Sequence, residues 1–146
     1  MQESNIKKFK TNNEINFTGF PSKDAARLKS AVEAVLKSEK IKNYRLNFIM
    51  VSDEDIKKMN AKYRKVRRIT DVISFLISPE MFIGDVYISE GRSKKQAKRY
   101  ANTWLRELAY LAIHGTLHLC GYTDYDPENK TKMFAKQDKI FKCLFS

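Results

Sequence analysis

Histidine and cysteine are scarce in this chain, with two of each in 146 residues, and acid is short against base. Two cysteines, Cys120 and Cys143, do not make a disulfide framework, and both are expected to be reduced and buried. Apolar residues never run on. No stretch approaches the roughly 18–20 residues of a membrane span, so no membrane helix is expected. Residues 1–10 carry lysines with no apolar stretch behind them, which is not the pattern of a secretory signal, and a cytoplasmic protein is expected. There is no internal repeat, low-complexity tract or interdomain linker, so residues 1–146 are expected to form one domain. Apolar residues make up 42% and charged residues 31%, the balance of a soluble globular chain rather than a disordered one.

What the chain has in excess is positive charge. Twenty-eight Lys and Arg stand against 17 Asp and Glu, a formal net charge of +11. Such an excess favours a polyanionic partner, nucleic acid or an acidic surface, and carries no sequence specificity of its own.

Strand and helix signals alternate. Asn13 to Phe17 reads as a short strand. A helix follows over 23–38, with Ser22 as N-cap and Leu28, Ala31, Val32, Val35 and Leu36 at helical spacing. Tyr44 to Val51 is a second strand. Ser52-Asp53-Glu54-Asp55 has the form of a capping box and opens a helix through Ile56, Met59 and Tyr63. A basic loop, 64–68, precedes a strand that Pro79 ends, and Phe82 to Ile88 is another strand. Gly84 inside it signals a bulge or a close approach by another part of the chain. A helical region from Ser89 to Leu119 is expected to break near Asn102. A last helix starts at Asp126-Pro127-Glu128, with Met133, Phe134, Gln137, Ile140, Phe141 and Leu144 on its inner side. The order implies an α+β (mixed α/β) fold, one layer of sheet under helices.

Both histidines fall in one segment, Ile113-His114-Gly115-Thr116-Leu117-His118-Leu119-Cys120-Gly121-Tyr122-Thr123-Asp124. A spacing of i, i+4 puts both rings on one helix face. Gly121 accepts a positive φ and lets the chain turn back sharply, which can bring Asp124 to a third corner. Two imidazoles, a carboxylate and an open position describe a catalytic rather than a structural zinc site. Cys120 lies two residues from His118 and points to another face. A zinc protease of the His-Glu-x-x-His type carries its general base where this chain has Gly115, so peptide hydrolysis by that route is disfavoured. Glu107, two turns before His114 on the same face, is placed either to orient a ligand or to pair with a nearby arginine.

These residues, together with Asn60-Ala61-Lys62-Tyr63-Arg64, Thr70-Asp71-Val72-Ile73-Ser74-Phe75 and Gly84-Asp85-Val86-Tyr87-Ile88-Ser89, resemble the YbeY family, in the family's order and over most of the chain from about residue 45. Members are bacterial metal-dependent endoribonucleases of ribosomal RNA maturation. The resemblance implies a mixed sheet of about four strands packed with helices, a zincin-like metal-site helix, and one Zn²⁺ held by three side chains. It implies a role for Arg64 in RNA cleavage beside His114 and His118. It also implies ribosomal RNA and the small ribosomal subunit as partners, in 3′-end processing and ribosome quality control. Lys62, Lys65, Arg67 and Arg68 would extend the phosphate-binding surface, and Lys94, Lys95, Lys98 and Arg99 form a second basic stripe. Tyr122 either stacks on a base or packs over the helix end.

Two departures stand out. The family's block continues Tyr-Asp-His, the histidine being the third ligand, whereas this chain has Tyr122-Thr123-Asp124. Asp124 takes that place by direct count; allowing a one-residue insertion, Asp126 is the substitute. A His-His-Asp set binds zinc at nearly the same distances, makes bound water less acidic and admits a harder ion such as Mn²⁺. The second departure is Ile69, where the family has proline. An RNA- or ribosome-binding assembly factor with a degenerate site is the alternative function.

Overall fold

The computed structural model describes residues 13–63 and 71–145. Along the chain run β1 (Glu14–Thr18), a 3-10 turn (Ser22–Asp24), α1 (Ala25–Ser38), β2 (Arg45–Val51), α2 (Asp53–Tyr63), β3 (Val72–Ser78), β4 (Ile83–Ser89), α3 (Glu90–Arg99), α4 (Trp104–Leu119) and α5 (Pro127–Phe145). The sheet order is β1-β2-β4-β3. β2 runs parallel to both β1 and β4, and β3 is antiparallel to β4. This is the mixed four-stranded α+β arrangement that the order of signals implies.

Register follows the alternation of apolar residues. Phe17, Phe48, Val86 and Ser74 form one row across the sheet, and Phe17 stacks on Phe48 with ring centroids 5.0 Å apart. This face lies under α1 and α4, and α5 packs on both helices. Leu28, Ala31, Val32, Val35 and Leu36, the stripe read from the spacing of α1, are all buried. The other face carries a polar ladder: Asn16 Nδ2 donates to Asn47 Oδ1 (3.2 Å), and Asn47 Nδ2 donates to Asp85 Oδ1 (3.1 Å).

Helix starts are set by hydroxyls. Ser52 Oγ accepts from the Asp55 N–H (3.1 Å), Ser89 Oγ from Arg92 (3.0 Å) and Thr103 Oγ1 from Arg106 (3.2 Å). The break between α3 and α4 comes at Ala101, in the left-handed region at φ 51°. Two local expectations fail. Ser22 is not a helix N-cap: Pro21 takes the cap position, and Ser22 lies inside the 3-10 turn. Cys143 is exposed, because the buried stripe of α5 is Met133, Gln137 and Ile140. Cys120 is half-buried against the core, and burial pushes its thiol up to about 12. Among the described residues no helix is long and apolar enough to cross a membrane.

Candidate metal centre

α4 owes its position to glycine. A Cβ on Gly115 would lie 2.6 Å from Val86 Cγ1 and 3.0 Å from Ser74 Oγ. The helix therefore lies directly on β3 and β4, and Ser74 Oγ donates to the Gly115 carbonyl (2.9 Å). One turn on, Leu119 presses on Gly84, where a Cβ would meet Leu119 Cδ1 at 3.0 Å. That is the close approach signalled by a glycine within a strand. It also explains why the protease glutamate has no counterpart here: position 115 faces the sheet, with no room for a carboxylate. His114 and His118 turn instead toward α5, where the His114 ring meets Phe134 at 5.7 Å between centroids.

The helix ends in a Schellman turn. The Tyr122 N–H donates to the Leu117 carbonyl and the Gly121 N–H to the His118 carbonyl, both at 3.0 Å. Gly121 sits at φ 101°, with nothing within 4 Å of its missing Cβ, so its conformation and not its size is what the turn needs. This reversal does two things. It sets the Tyr122 carbonyl 2.9 Å from His118 Nδ1, and it brings Asp124 back over the two rings.

The protons on the rings follow from these partners. A carbonyl oxygen only accepts, so His118 Nδ1 carries hydrogen and its Nε2 keeps a lone pair. His114 Nδ1 lies 2.9 Å from Gln137 Oε1, and Gln137 Nε2 donates to the Tyr110 carbonyl (3.2 Å), which fixes the amide's orientation. His114 is thus held in the same tautomer. The two Nε2 atoms are 3.1 Å apart, and Asp124 Oδ2 lies 3.6 Å from one and 3.8 Å from the other. Lone pairs and a carboxylate converging this closely repel unless a cation sits among them. A triangle with these sides has its centre about 2.0 Å from every corner, the length of a Zn–N or Zn–O bond. The residues present therefore fit a divalent ion.

Sequence reasoning brings His114, His118 and Asp124 to one place, and the structure puts them there. Asp126 is elsewhere employed. It caps α5, accepting from the Asn129 N–H (2.9 Å) just before Pro127, and those bonds hold its carboxyl below its ordinary value. Tyr122 packs against the core and donates to Glu39 Oε2 (3.1 Å). Among the described residues Glu107 neither bonds to a histidine nor pairs with an arginine; Arg92 is taken by Asp71 (3.0 Å). Lys94, Lys95, Lys98 and Arg99 are exposed on α3. Arg64, Lys65, Arg67, Arg68 and Ile69 lie outside the described residues. Gln137 is the residue whose part sequence reasoning misses. Its signal is a lone amide on an otherwise apolar helix stripe, 1% exposed.

The three convergent atoms open onto a cleft of about 980 Å³, lined by α4, by α5 from Lys130 to Phe141, by the end of α3 and by the start of β3. The model of the family described as "Endoribonuclease YbeY" matches residues 10–144. An Endoribonuclease YbeY of Endomicrobium trichonymphae is 68% identical over 93% of this chain and 96% of its own. One of Thermotoga maritima is 36% identical over 83% of this chain and 81% of its own. A solution structure of a Thermotoga maritima protein superposes with TM-score 0.65 at 33% identity, over 92% of this chain and 89% of the other. With the family model matching residues 10–144, a relative 68% identical over nearly the full length and the fold in agreement, the chain belongs to the YbeY endoribonuclease family.

Proposed function

We propose that the protein is a metal-dependent endoribonuclease that cuts single-stranded RNA in ribosomal RNA maturation, with His114, His118 and Asp124 as ligands of one zinc ion. The observation that carries this is the convergence of two Nε2 lone pairs and a carboxylate oxygen, both ring tautomers being fixed from behind. A divalent ion held there supplies Lewis-acid chemistry to a phosphodiester. The rest falls to side chains. Gln137 and the Tyr122 carbonyl hold the Nδ1 protons, so neither ring swings away or protonates the wrong nitrogen. Arg64, with Lys65, Arg67 and Arg68, binds phosphate and offsets charge in the transition state, a task suited to arginine's planar fork. The carboxylate ligand leaves Mn²⁺ as a second candidate ion. The small ribosomal subunit is the proposed partner, its RNA 3′ end the substrate, and the cytoplasm the place where both meet.

The test joins metal content to cleavage. Elemental mass spectrometry of purified protein is expected to find near-stoichiometric zinc or manganese, lost in Asp124→Ala and retained in Asp126→Ala. Single-stranded RNA is expected to be cut, chelator to stop the cutting and added metal to restore it. A protein that binds RNA yet takes up no metal and cuts nothing would instead be an assembly factor.

A further inference from the structure

The cleft extends along α4 well beyond the three convergent atoms. Toward its far end stands Glu107, two turns before His114 and so about 10 Å away along the helix axis. Glu107 is 9% exposed. Among the described residues its carboxylate has no hydrogen-bond or ion-pair partner. The groups around it are accounted for. Asp71, just before β3, receives Arg92 Nε (3.0 Å) and Gln96 Nε2 (3.3 Å) from α3. Tyr110 of α4 donates to Asp138 of α5 (3.0 Å). Tyr100, after the end of α3, lines the same cleft and is 66% exposed, with the Arg99 guanidinium 5.6 Å from its ring centroid. With no partner among the described residues, the carboxylate faces the cleft from the first turn of α4 and is open to a ligand's donors there. Burial, with the charge of Asp71 adding to it, pushes the Glu107 carboxyl up to about 7. Unpartnered and perturbed groups of this kind in a cleft mark a binding function.

We propose that this end of the cleft is a nucleobase subsite, in which a base flanking the scissile phosphate lies against Tyr100 and presents hydrogen-bond donors to Glu107, guanine being the base that fits. The inference rests on the endoribonuclease reading and deepens it. Asp71 and Glu107 repel phosphate, so a nucleotide enters with its phosphate toward the His114, His118 and Asp124 end and its base toward the acids. Two helical turns match the reach from a backbone phosphate to the far edge of its own base. Unpaired bases are read on that edge while stacked on an aromatic ring. Guanine offers two adjacent donors, N1–H and N2–H, to the two oxygens of a carboxylate. Uracil offers one donor between two acceptors, which a carboxylate repels. Protonated Glu107 has one donor beside one acceptor, the complement of adenine or cytosine, so the preference changes as pH falls through about 7.

The experiment compares metal-loaded wild type and Glu107→Gln on short single-stranded oligoribonucleotides with one cut site. The substrates differ only in a flanking base: guanine, inosine, adenine, cytosine or uracil. Wild type at pH 8 is expected to favour guanine at one flanking position by about 10- to 100-fold in kcat/KM. Inosine, which lacks the N2 amino group, falls between guanine and uracil, and at pH 6 the guanine preference shrinks. Glu107→Gln, whose amide has one donor and one acceptor, is expected to show the wild type's pH 6 pattern at both pH values with unchanged metal content. Equal rates on all five bases, or an unaltered preference in Glu107→Gln, would overturn the proposal and leave the endoribonuclease reading standing. A uniform slowing of every substrate by Glu107→Gln would also overturn it, since that is the mark of proton transfer rather than base selection. If loaded wild type cuts no RNA at all, both readings fall together.

Discussion

His114 and His118 differ in what holds them. The partner of His118 is a main-chain carbonyl that the Schellman turn delivers, and no side-chain substitution removes it. His114 depends on one side chain, Gln137, which reaches across from α5 and is itself anchored to the Tyr110 carbonyl. Gln137→Leu keeps the volume and deletes the acceptor. It is expected to weaken metal binding by about 10- to 100-fold, read by competition with a chromophoric chelator, while the melting curve of the metal-free protein moves little. Affinity equal to wild type would show that the ring needs no orienting partner. Glu107 supports a second prediction at this scale. Its carboxyl is raised from 4.5 to about 7 in the folded protein, so the folded state holds the proton more tightly than the unfolded one. The stability associated with that proton is fully present below about pH 4.5 and is lost as pH rises through about 7. Glu107→Gln is neutral at every pH. It is expected to exceed wild type in unfolding free energy at pH 8 and to match it at pH 4. Urea titrations of the two metal-free proteins at both pH values check this, and an equal gap at the two would contradict it.

Among the elements, α4 carries the site and Gly115 fixes its height above the sheet. Gly115→Ala would drive a methyl group into Val86 and Ser74. An overpacked core of this kind costs about 1–3 kcal/mol, and any relief by lifting the helix moves both histidines away from Asp124. Loss of stability together with loss of metal is therefore expected, measured by denaturant unfolding and elemental analysis; unchanged values of both would mean that the sheet yields instead. Much of this element is legible in the chain itself. The i, i+4 histidines, the stop at Gly121 and the crowded Gly84 are local features, each set by residues within one segment or by a glycine's lack of a side chain. Spacing puts Gln137 on the inner stripe of α5, but its bond to His114 joins residues 23 apart in sequence and depends on how α5 lies on α4. Spacing also puts Glu107 on the right face, yet among the described residues Arg92 and Gln96 bond to Asp71 and leave it without a partner. Choices of that kind are made in three dimensions, where spacing along one helix says nothing. Ser22 fails for a simpler reason: Pro21 fits the cap of a 3-10 turn and displaces the serine by one residue.

Over the whole molecule the charge is divided by location. The net charge is +11, yet the cleft holds Asp71, Glu107 and Asp124, with Lys130 as its described lysine. Basic side chains lie outside it, on α3 and along α5. Such a division suits a polyanion whose backbone is held along the surface while one nucleotide turns inward. The outer lysines then contribute affinity without selection, because neutralising a phosphate releases counterions whatever the base. Lys95 and Lys98 are exposed and share a face of α3 at i, i+3 spacing, whereas Lys94 is tied to Glu90 (2.8 Å) and lies over the Trp104 ring. Removing the two exposed lysines together, as Lys95→Ala with Lys98→Ala, is expected to weaken binding of single-stranded RNA equally for all sequences. It should also flatten the plot of log affinity against log salt by about 1.4, or about 0.7 for each phosphate that is no longer neutralised. Metal content and base preference should stay as in wild type. Fluorescence anisotropy across a salt series measures the slope. An unchanged slope would place the RNA path away from α3, and a changed base preference would mean that these lysines reach into the cleft rather than along its approach.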